Sequence, residues 1–255
     1  MIRAVIFDMD GTLIDTEKYY QEFWPKALAE FGYEITKEQT LSIRSLGRPF
    51  APQRFREWYG DDFDYIKVRE KRKELMNARL AESGIDLKPG AVEILSFLKE
   101  NGIAAAVATA SDMARTEKYL DEVGIKHYFI KLISATMVEK GKPAPDIYQY
   151  ACAELGLAPE ECMAVEDAPN GIISAGKAGC KVVMVPDMTG PDSEVEPYLY
   201  ACVERLDDII DLITRENCQR QPALPRSELI QGFQTVRSEL FRELLPECSA
   251  HPQEF

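Results

Sequence analysis

Short apolar runs separated by amphipathic segments constrain the fold of this chain more than any other feature of its sequence. Their length and continuous apolar character predict strands that are buried on both faces. Five such runs occur, at residues 2–7, 103–108, 129–133, 163–165 and 181–185. From the second run onward they alternate with helical patterns that end at glycines. This alternation predicts an α/β fold with a mostly parallel sheet and helices on both faces.

The alternation stops between residues 15 and 86. No comparable strand run occurs there, whereas aromatic and apolar residues recur at helical spacing over 16–31, 50–59 and 65–81. We therefore predict an all-helical domain at 15–86, inserted after the first strand into a core formed by 1–14 and 87–216.

Residues 217–255 follow the last core segment. They begin with a polar, proline-bearing stretch at 217–226, which predicts a linker. An amphipathic helix is predicted beyond it, with one apolar stripe formed by Leu229, Phe233, Val236, Leu240 and Leu244. This helix packs either on its own core or against a partner, so monomer and homodimer both stay open.

Charge and cysteine content restrict the partners and the compartment. The chain has 43 acidic and 30 basic side chains and a formal net charge of −13, so its surface repels nucleic acids and anionic membranes. No segment approaches the length of a membrane span, and the first apolar run is too short for a signal peptide. The six cysteines form no CxxC pair, which favours reduced thiols. We expect a cytoplasmic protein.

Two aspartates directly follow the first predicted strand. Asp8 and Asp10 point the same way in an extended segment, and Gly11 allows the backbone to turn after them. Two carboxylates this close repel each other unless one is protonated or a cation lies between them. A calcium-binding loop is excluded, because it needs glycine at 13 and glutamate at 19, where this chain has leucine and tyrosine. Oxygen ligands at a strand end suit Mg²⁺.

The ends of other predicted strands carry groups that phosphate chemistry requires. These are the hydroxyl and backbone N–H groups of Thr109 and Ala110, the ammonium of Lys142, and the carboxylates of Glu166 and Asp167. Because the carboxyl ends of parallel strands meet at one edge of a sheet, we expect these groups to converge with the first acidic pair on a metal ion and a phosphoryl group.

Four segments resemble, in the same order, the four motifs of the haloacid dehalogenase superfamily. They are DMDGT at 8–12, the apolar run that ends at Thr109, Lys142 in GKPAPDIY, and VEDAPNGIISAGKAG at 165–179. The resemblance covers roughly residues 1–213. The helical insert resembles the cap of the subgroup that contains phosphoglycolate phosphatase, small sugar-phosphate phosphatases and β-phosphoglucomutase. The resemblance implies a Rossmann-like core with a mobile cap over the site.

The resemblance also implies roles for the motif residues. Asp8 would be the nucleophile that takes the phosphoryl group as an aspartyl phosphate. Asp10 would protonate the leaving alcohol and then activate water, with its backbone carbonyl facing the metal. The phosphoryl group would contact Thr109, Ala110 and Lys142, and Mg²⁺ would contact Asp8, Asp10, Glu166 and Asp167.

Two positions in the insert bear on the substrate. Tyr20 stands where the β-phosphoglucomutases that this chain resembles have a histidine that couples cap closure to transfer, and tyrosine cannot carry that charge near neutral pH. Arg48 falls near the cap arginine of the same enzymes and is a candidate for binding substrate phosphate. We therefore predict, first, a Mg²⁺-dependent phosphatase of sugar phosphates or similar small phosphorylated metabolites, and second, a β-phosphoglucomutase-type phosphomutase.

A different class of protein stays open as an alternative. A phospho-accepting signalling module or a phosphate-binding module would also place an aspartate at a strand end. Receiver modules are shorter and lack an inserted cap, and Asp10 would have no acid role in them. Steady turnover of p-nitrophenyl phosphate with Mg²⁺ would distinguish an enzyme from such a module.

Overall fold

Six strands form one parallel sheet within residues 1–219, the part of the chain that the computed structural model describes. They are β1 (Ala4–Phe7), β2 (Ala104–Thr109), β3 (Lys131–Ser134), β4 (Cys162–Glu166), β5 (Lys181–Met184) and β6 (Leu199–Cys202). Their order across the sheet is β3-β2-β1-β4-β5-β6, and every neighbouring pair is parallel. The strand order therefore changes direction between β1 and β4, where sheets of this kind bind ligands at the carboxyl ends of their strands.

Helices cover both faces of the sheet. Within residues 1–219 they are α1 (Glu17–Ala29), α2 (Lys37–Ser42), α3 (Phe50–Tyr59), α4 (Tyr65–Ser83), α5 (Ala91–Glu100), α6 (Met113–Glu122), α7 (Asp146–Leu155), α8 (Pro169–Ala178) and α9 (Ile209–Gln219). Successive residues of a strand face opposite sides. Val5 and Phe7 accordingly join one apolar cluster with α5 and α6, while Ala4 and Ile6 join another with α7 and α8. The predicted α/β fold, a Rossmann-like parallel sheet between layers of helices, is confirmed.

The insert after β1 contains α1 to α4 and no strand within its described residues. These helices pack around an apolar cluster of their own, formed by Trp24, Ala27, Leu28, Ile43, Phe55, Phe63 and Val68. Ile14 and Leu87 pair in a single antiparallel bridge, so the chain enters and leaves the insert at one place. Met1–Glu216 forms one compact unit that contains the insert and the sheet. The division of this unit into cap and core at 14/15 and 86/87 stays a prediction.

Strand β6, helix α2 and helix α9 were not expected from the sequence. Strand β6 is the last strand of the sheet, and its residues alternate between half-buried and exposed, so it has no continuous apolar run to reveal it. Helix α2 has only six residues, which is too short to show a repeating apolar pattern in the sequence. A capping box at Thr36 and Gln39 stabilises its start.

The carboxyl-terminal expectations are tested only in part. Helix α9 includes residues 217–219, where a linker was predicted. The rest of that linker and the amphipathic helix lie outside the described residues. Among residues 1–219, no helix combines the length and the apolar character that crossing a membrane would require.

Phe55 is central to the aromatic packing of the insert. Its side chain is fully buried, and its ring centroid lies 4.8 Å from that of Trp24 and 5.5 Å from that of Phe63. We expect Phe55→Ala to lower the free energy of unfolding by about 3–5 kcal/mol, because it leaves a cavity and removes aromatic contacts. Urea unfolding would measure the loss, with Tyr150→Ala, at an exposed aromatic residue, as the control. Equal effects of the two substitutions would contradict this packing.

Candidate active site

Asp8 lies directly after β1, at the switch point of the sheet, and is fixed there by main-chain and side-chain contacts. Its backbone N–H donates to the carbonyl oxygen of Val165 at 2.9 Å. The ammonium Nζ of Lys142 donates to Asp8 Oδ1 at 2.5 Å, to Glu166 Oε1 at 2.6 Å and to the carbonyl oxygen of Ala108 at 2.9 Å. All three side chains of this ion triad are almost completely buried. The structure thus brings the candidate site residues Asp8, Lys142 and Glu166 together, and the role of Lys142 in balancing charge on Asp8 and the phosphate stays a prediction.

Three buried carboxylates meet beside Lys142. One oxygen each of Asp8, Glu166 and Asp167 can be chosen so that all lie within 4.8 Å of one another. The second oxygens of Asp8 and Glu166, Oδ2 and Oε2, are buried and have no hydrogen-bond partner. Burial raises the pKa of Asp8, against the opposing effect of Lys142, and burial together with the charge of Asp8 raises the pKa of Asp167. Unpaired carboxylate oxygens in a dry site fit a hard divalent cation such as Mg²⁺.

Two glycines allow these carboxylates to lie so close to the backbone. Gly11 adopts φ +86°, and a Cβ on it would lie 2.7 Å from Oδ2 of Asp167. Gly171, in the first turn of α8, would place a Cβ 2.1 Å from the Glu166 carboxyl group. The motif glycines therefore serve close approach as well as turning.

Asp10 is held apart from the carboxylate group by its own hydrogen bonds. Its Oδ1 accepts from Thr16 Oγ1 at 2.6 Å and from Arg115 Nη2 at 3.3 Å, and its Oδ2 accepts from Ser111 Oγ at 2.8 Å. The Asp10 side chain thus does not join the acidic cluster. The predicted contact of its backbone carbonyl with the metal stays a prediction.

Sequence analysis missed Thr16 and Arg115 as partners of Asp10. Thr16 lies immediately before α1 and Arg115 in the first turn of α6. The position of Arg115 could have been predicted from the sequence, because a helix that follows β2 directly must start at the same sheet edge as Asp10.

Arg44 connects the insert to the acidic cluster. It is 3% exposed, its Nη1 lies 3.4 Å from Asp167 Oδ2, and its other terminal nitrogen donates to Thr189 Oγ1. The candidate substrate residue Arg48 is instead exposed and does not line the cleft described below. The loop between α2 and α3 thus brings Arg44, and not Arg48, to the site, because Ile43 and Arg44 at the end of α2 are both buried.

The same loop rests on the loop that carries Lys142 through main-chain contacts. The N–H of Gly47 donates to the carbonyl oxygen of Lys142 at 2.8 Å, and the N–H of Gly141 donates to that of Arg48 at 2.6 Å. A Cβ on Gly47 would lie 2.7 Å from Cα of Gly141. The two backbones therefore meet at a distance that only glycine permits.

A cleft of about 730 Å³, its open mouth included, lies between the sheet edge and the insert. Of the predicted site residues, Asp8, Asp10, Tyr20, Thr109 and Ala110 line it, together with Ser111. Glu17 also lines it, and burial raises the pKa of this carboxyl group to about 7. Burial raises the pKa of Tyr20 to about 12, so its hydroxyl stays neutral. Lys142, Glu166 and Asp167 connect to the cleft through Asp8.

The parallel sheet, the helical insert after β1 and the carboxylates around Lys142 define a hydrolase of the class that the sequence resembles. Residues 2–179 match the family model described as haloacid dehalogenase-like hydrolase. The chain belongs to this family and is an enzyme.

Individual relatives agree with the family. Hexitol phosphatase B of Escherichia coli (strain K12) is 30% identical over 222 residues, covering 84% of this chain and 96% of that protein. The probable pseudouridine-5'-phosphatase of Drosophila melanogaster is 34% identical over 193 residues, covering 71% and 80%. The crystal structure of β-phosphoglucomutase from Clostridium difficile matches with a TM-score of 0.73 at 25% identity, covering 86% of this chain and 100% of that one. The predicted class, a phosphoric monoester hydrolase with a phosphomutase as the alternative, is confirmed.

Lys142 is the one cation that contacts both Asp8 and Glu166 in the described site. In metal-free buffer, Lys142→Met is expected to lower the free energy of unfolding by about 3–5 kcal/mol, because it leaves two buried carboxylates without a counter-charge. Mg²⁺ should restore part of the loss by binding the native state. Thermal melting with and without MgCl₂ measures both effects. Lys140→Met, at an exposed position, is the control, and a Lys142→Met variant as stable as this control would contradict the ion triad.

Proposed function

We propose that this enzyme is a Mg²⁺-dependent phosphatase of small organophosphates, sugar phosphates above all, and that it acts through an aspartyl phosphate on Asp8. The observation that carries the proposal is the set of contacts that the Asp8 carboxylate makes. Oδ1 is bonded to Lys142, Oδ2 has no protein partner, and the residue lines the cleft at the switch point of the sheet. Hexitol phosphatase B, by its name a sugar-alcohol phosphatase, supports the substrate class.

Asp8, Glu166 and Asp167 would hold the Mg²⁺ ion. When bound, the ion supplies positive charge between the carboxylate and the substrate phosphate, whose repulsion is about 4 kcal/mol per charge pair at roughly 4 Å and an effective dielectric constant of about 20. Lys142 contributes a second, permanent positive charge to Asp8. These charges leave the positioning of the two reacting groups as the remaining task of the protein.

The reaction then needs one attacking oxygen and one mobile proton. A carboxylate oxygen of Asp8 attacks phosphorus, the bond from phosphorus to the leaving oxygen breaks, and Asp10 gives its proton to the departing alkoxide. In the second step Asp10 takes a proton from water, whose oxygen attacks phosphorus and releases Asp8. Thr16, Ser111 and Arg115 hold the Asp10 carboxyl group in place for both transfers.

Phosphoryl oxygens would bind at the end of β2, which flanks β1 on the side away from β4. Thr109 and Ala110 line the cleft there. The backbone N–H of Ser111 donates to Thr109 Oγ1 at 3.1 Å, which orients that hydroxyl. A hydroxyl and backbone N–H groups at the start of a helix suit a dianionic phosphoryl group.

A phosphomutase is the second candidate. The similarity to β-phosphoglucomutase of C. difficile supports it. Against it, Tyr20 stays neutral at its buried position and cannot supply the charge of a histidine. The signalling or phosphate-binding module has lost its support, because the chain belongs to a family of hydrolases.

The cytoplasm is the compartment that we propose. All five described cysteines are free, and three of them, Cys152, Cys162 and Cys180, are buried. Free thiols are typical of a reducing compartment. The oligomeric state, monomer or homodimer, stays open.

A screen of phosphorylated metabolites with Mg²⁺ tests the proposed function. It should include hexitol phosphates, p-nitrophenyl phosphate, and β-glucose 1-phosphate with and without a bisphosphate activator. We expect release of inorganic phosphate from sugar phosphates. Asp8→Asn should remove turnover because an amide does not attack phosphorus, and its circular dichroism spectrum should show an intact fold. Conversion of β-glucose 1-phosphate to glucose 6-phosphate without phosphate release would favour the mutase. Near wild-type activity of Asp8→Asn would place the nucleophile elsewhere.

Asp10→Ala is expected to affect substrates unequally. A sugar phosphate has a poor leaving group that needs a proton, so kcat should fall by about 10²–10⁴-fold. The first step with p-nitrophenyl phosphate needs no such proton, so a burst of p-nitrophenol should persist although steady turnover slows. Rapid-quench and steady-state assays separate the two steps. Loss of the burst as well would contradict the acid role.

A further inference from the structure

Tyr148 is a buried side chain beside the acidic cluster that the proposed reaction does not use. It lies in the first turn of α7 and is fully buried. Its ring belongs to the apolar cluster that includes Ile6 and Ala108 of the sheet. A hydroxyl group in such a place needs a hydrogen-bond partner, because its loss of hydration is otherwise unfavourable.

The partner of this hydroxyl group is Glu166. Tyr148 Oη donates to Glu166 Oε1, the same oxygen that accepts from Lys142 Nζ at 2.6 Å. Burial, together with the charge of Glu166, raises the pKa of Tyr148 well above its ordinary value, so the hydroxyl group keeps its proton. Oε1 therefore has two donors, whereas Oε2 of the same carboxyl group is buried and has no hydrogen-bond partner.

The Glu166 carboxyl group is restrained by more than one element. Lys142 Nζ lies 5.3 Å from the centroid of the Tyr148 ring, so the two donors also contact each other. On α8, a Cβ at Gly171 would lie 2.1 Å from the carboxyl carbon of Glu166. Two donors on one oxygen restrict the rotation of the carboxyl group about its last side-chain bond, and this restriction also fixes the position of Oε2.

Lys142 on its own would restrict this rotation less. Its ammonium group is a compact charge on a flexible stem, and it is shared among Glu166, Asp8 and the carbonyl oxygen of Ala108. Such a charge attracts either oxygen of a carboxylate. The hydroxyl group of Tyr148 is carried by a rigid ring with only two side-chain torsions, so it selects Oε1.

We propose that Tyr148 is a positioning residue of the metal site, which occupies Oε1 of Glu166 and leaves Oε2 for the divalent cation. This inference rests on the proposed function, in which Asp8, Glu166 and Asp167 would hold Mg²⁺. Tyr148 acts through Glu166 and not on the ion itself. Hydrogen bonds from residues outside the ligand shell orient metal ligands, and their loss typically lowers metal affinity about 10–100-fold.

The size of the cation gives this role a specific signature. Mg²⁺ requires near-octahedral geometry with oxygens at about 2.0–2.1 Å, whereas Ca²⁺ accepts roughly 6–8 oxygens at about 2.3–2.6 Å in flexible arrangements. A carboxylate that rotates more freely should therefore weaken the binding of Mg²⁺ more than the binding of Ca²⁺. A change in the charge of the site would weaken both.

Tyr148→Phe tests the proposal, because it removes one oxygen atom and keeps the ring. The melting temperature of the metal-free protein, titrated with MgCl₂ or with CaCl₂, reports each Kd, since an ion that binds the native state stabilises it. We expect the Kd of Mg²⁺ to rise at least tenfold and the Kd of Ca²⁺ to rise less than threefold. Tyr150→Phe, at an exposed position of the same helix, is the control and should keep both wild-type values.

Other outcomes separate the positioning role from the proposed function. If Tyr148→Phe melts at a lower temperature in metal-free buffer but binds Mg²⁺ as the wild type does, Tyr148 serves packing only and the inference is wrong. An equal rise in both Kd values would also contradict it, because orientation would not be the cause. A wild type that binds no Mg²⁺, and turns over p-nitrophenyl phosphate equally well without it, would instead refute the Mg²⁺-dependent function itself.

Discussion

The buried contact of Lys142 with Asp8 and Glu166 is the interaction on which the rest of the site depends. It joins the end of β1, the end of β4 and the loop before α7 through one ammonium group. Without that charge, the carboxylates at neighbouring strand ends would repel each other in a medium of low dielectric constant. The sheet can therefore end in several acidic groups at its centre only because a cation is built in beside them.

The remaining charges are divided between two structural layers. Strand ends supply the carboxylates, and the loop before α7 supplies Lys142. The strand ends lie at fixed positions because neighbouring strands are hydrogen-bonded in register. Helices and loops of the insert and α6 supply the arginines, of which Arg44 and Arg115 pair with acidic groups of the core. In the proposed function, the sheet edge would therefore supply the chemistry, and side chains on the helices would contact the rest of the substrate.

Much of this arrangement could be predicted from the sequence. The parts that could not be predicted have one physical reason in common. Strands buried on both faces are visible as apolar runs, and parallel strands bring their carboxyl ends together, so the meeting of Asp8, Lys142 and Glu166 followed from order alone. Strand β6 was not predicted, because half of its residues are exposed and it has no continuous apolar run. Whether Arg44 or Arg48 reaches the site depends on which residues after the short helix α2 are buried. A segment of so few residues shows no apolar periodicity from which this burial could be predicted.

The close approach of Gly47 to Gly141 has a consequence for how this scaffold can change. Main-chain hydrogen bonds join the loop of the insert to the loop of Lys142, so these bonds do not depend on which side chains flank the glycines. The exposed side chain of Arg48 can change without unseating the loop, because this residue contributes only its main-chain carbonyl to the contact. Ser45 is more restricted, because its backbone adopts φ +54°. The surface of the insert loop can therefore vary while the loop of Lys142 keeps its alignment.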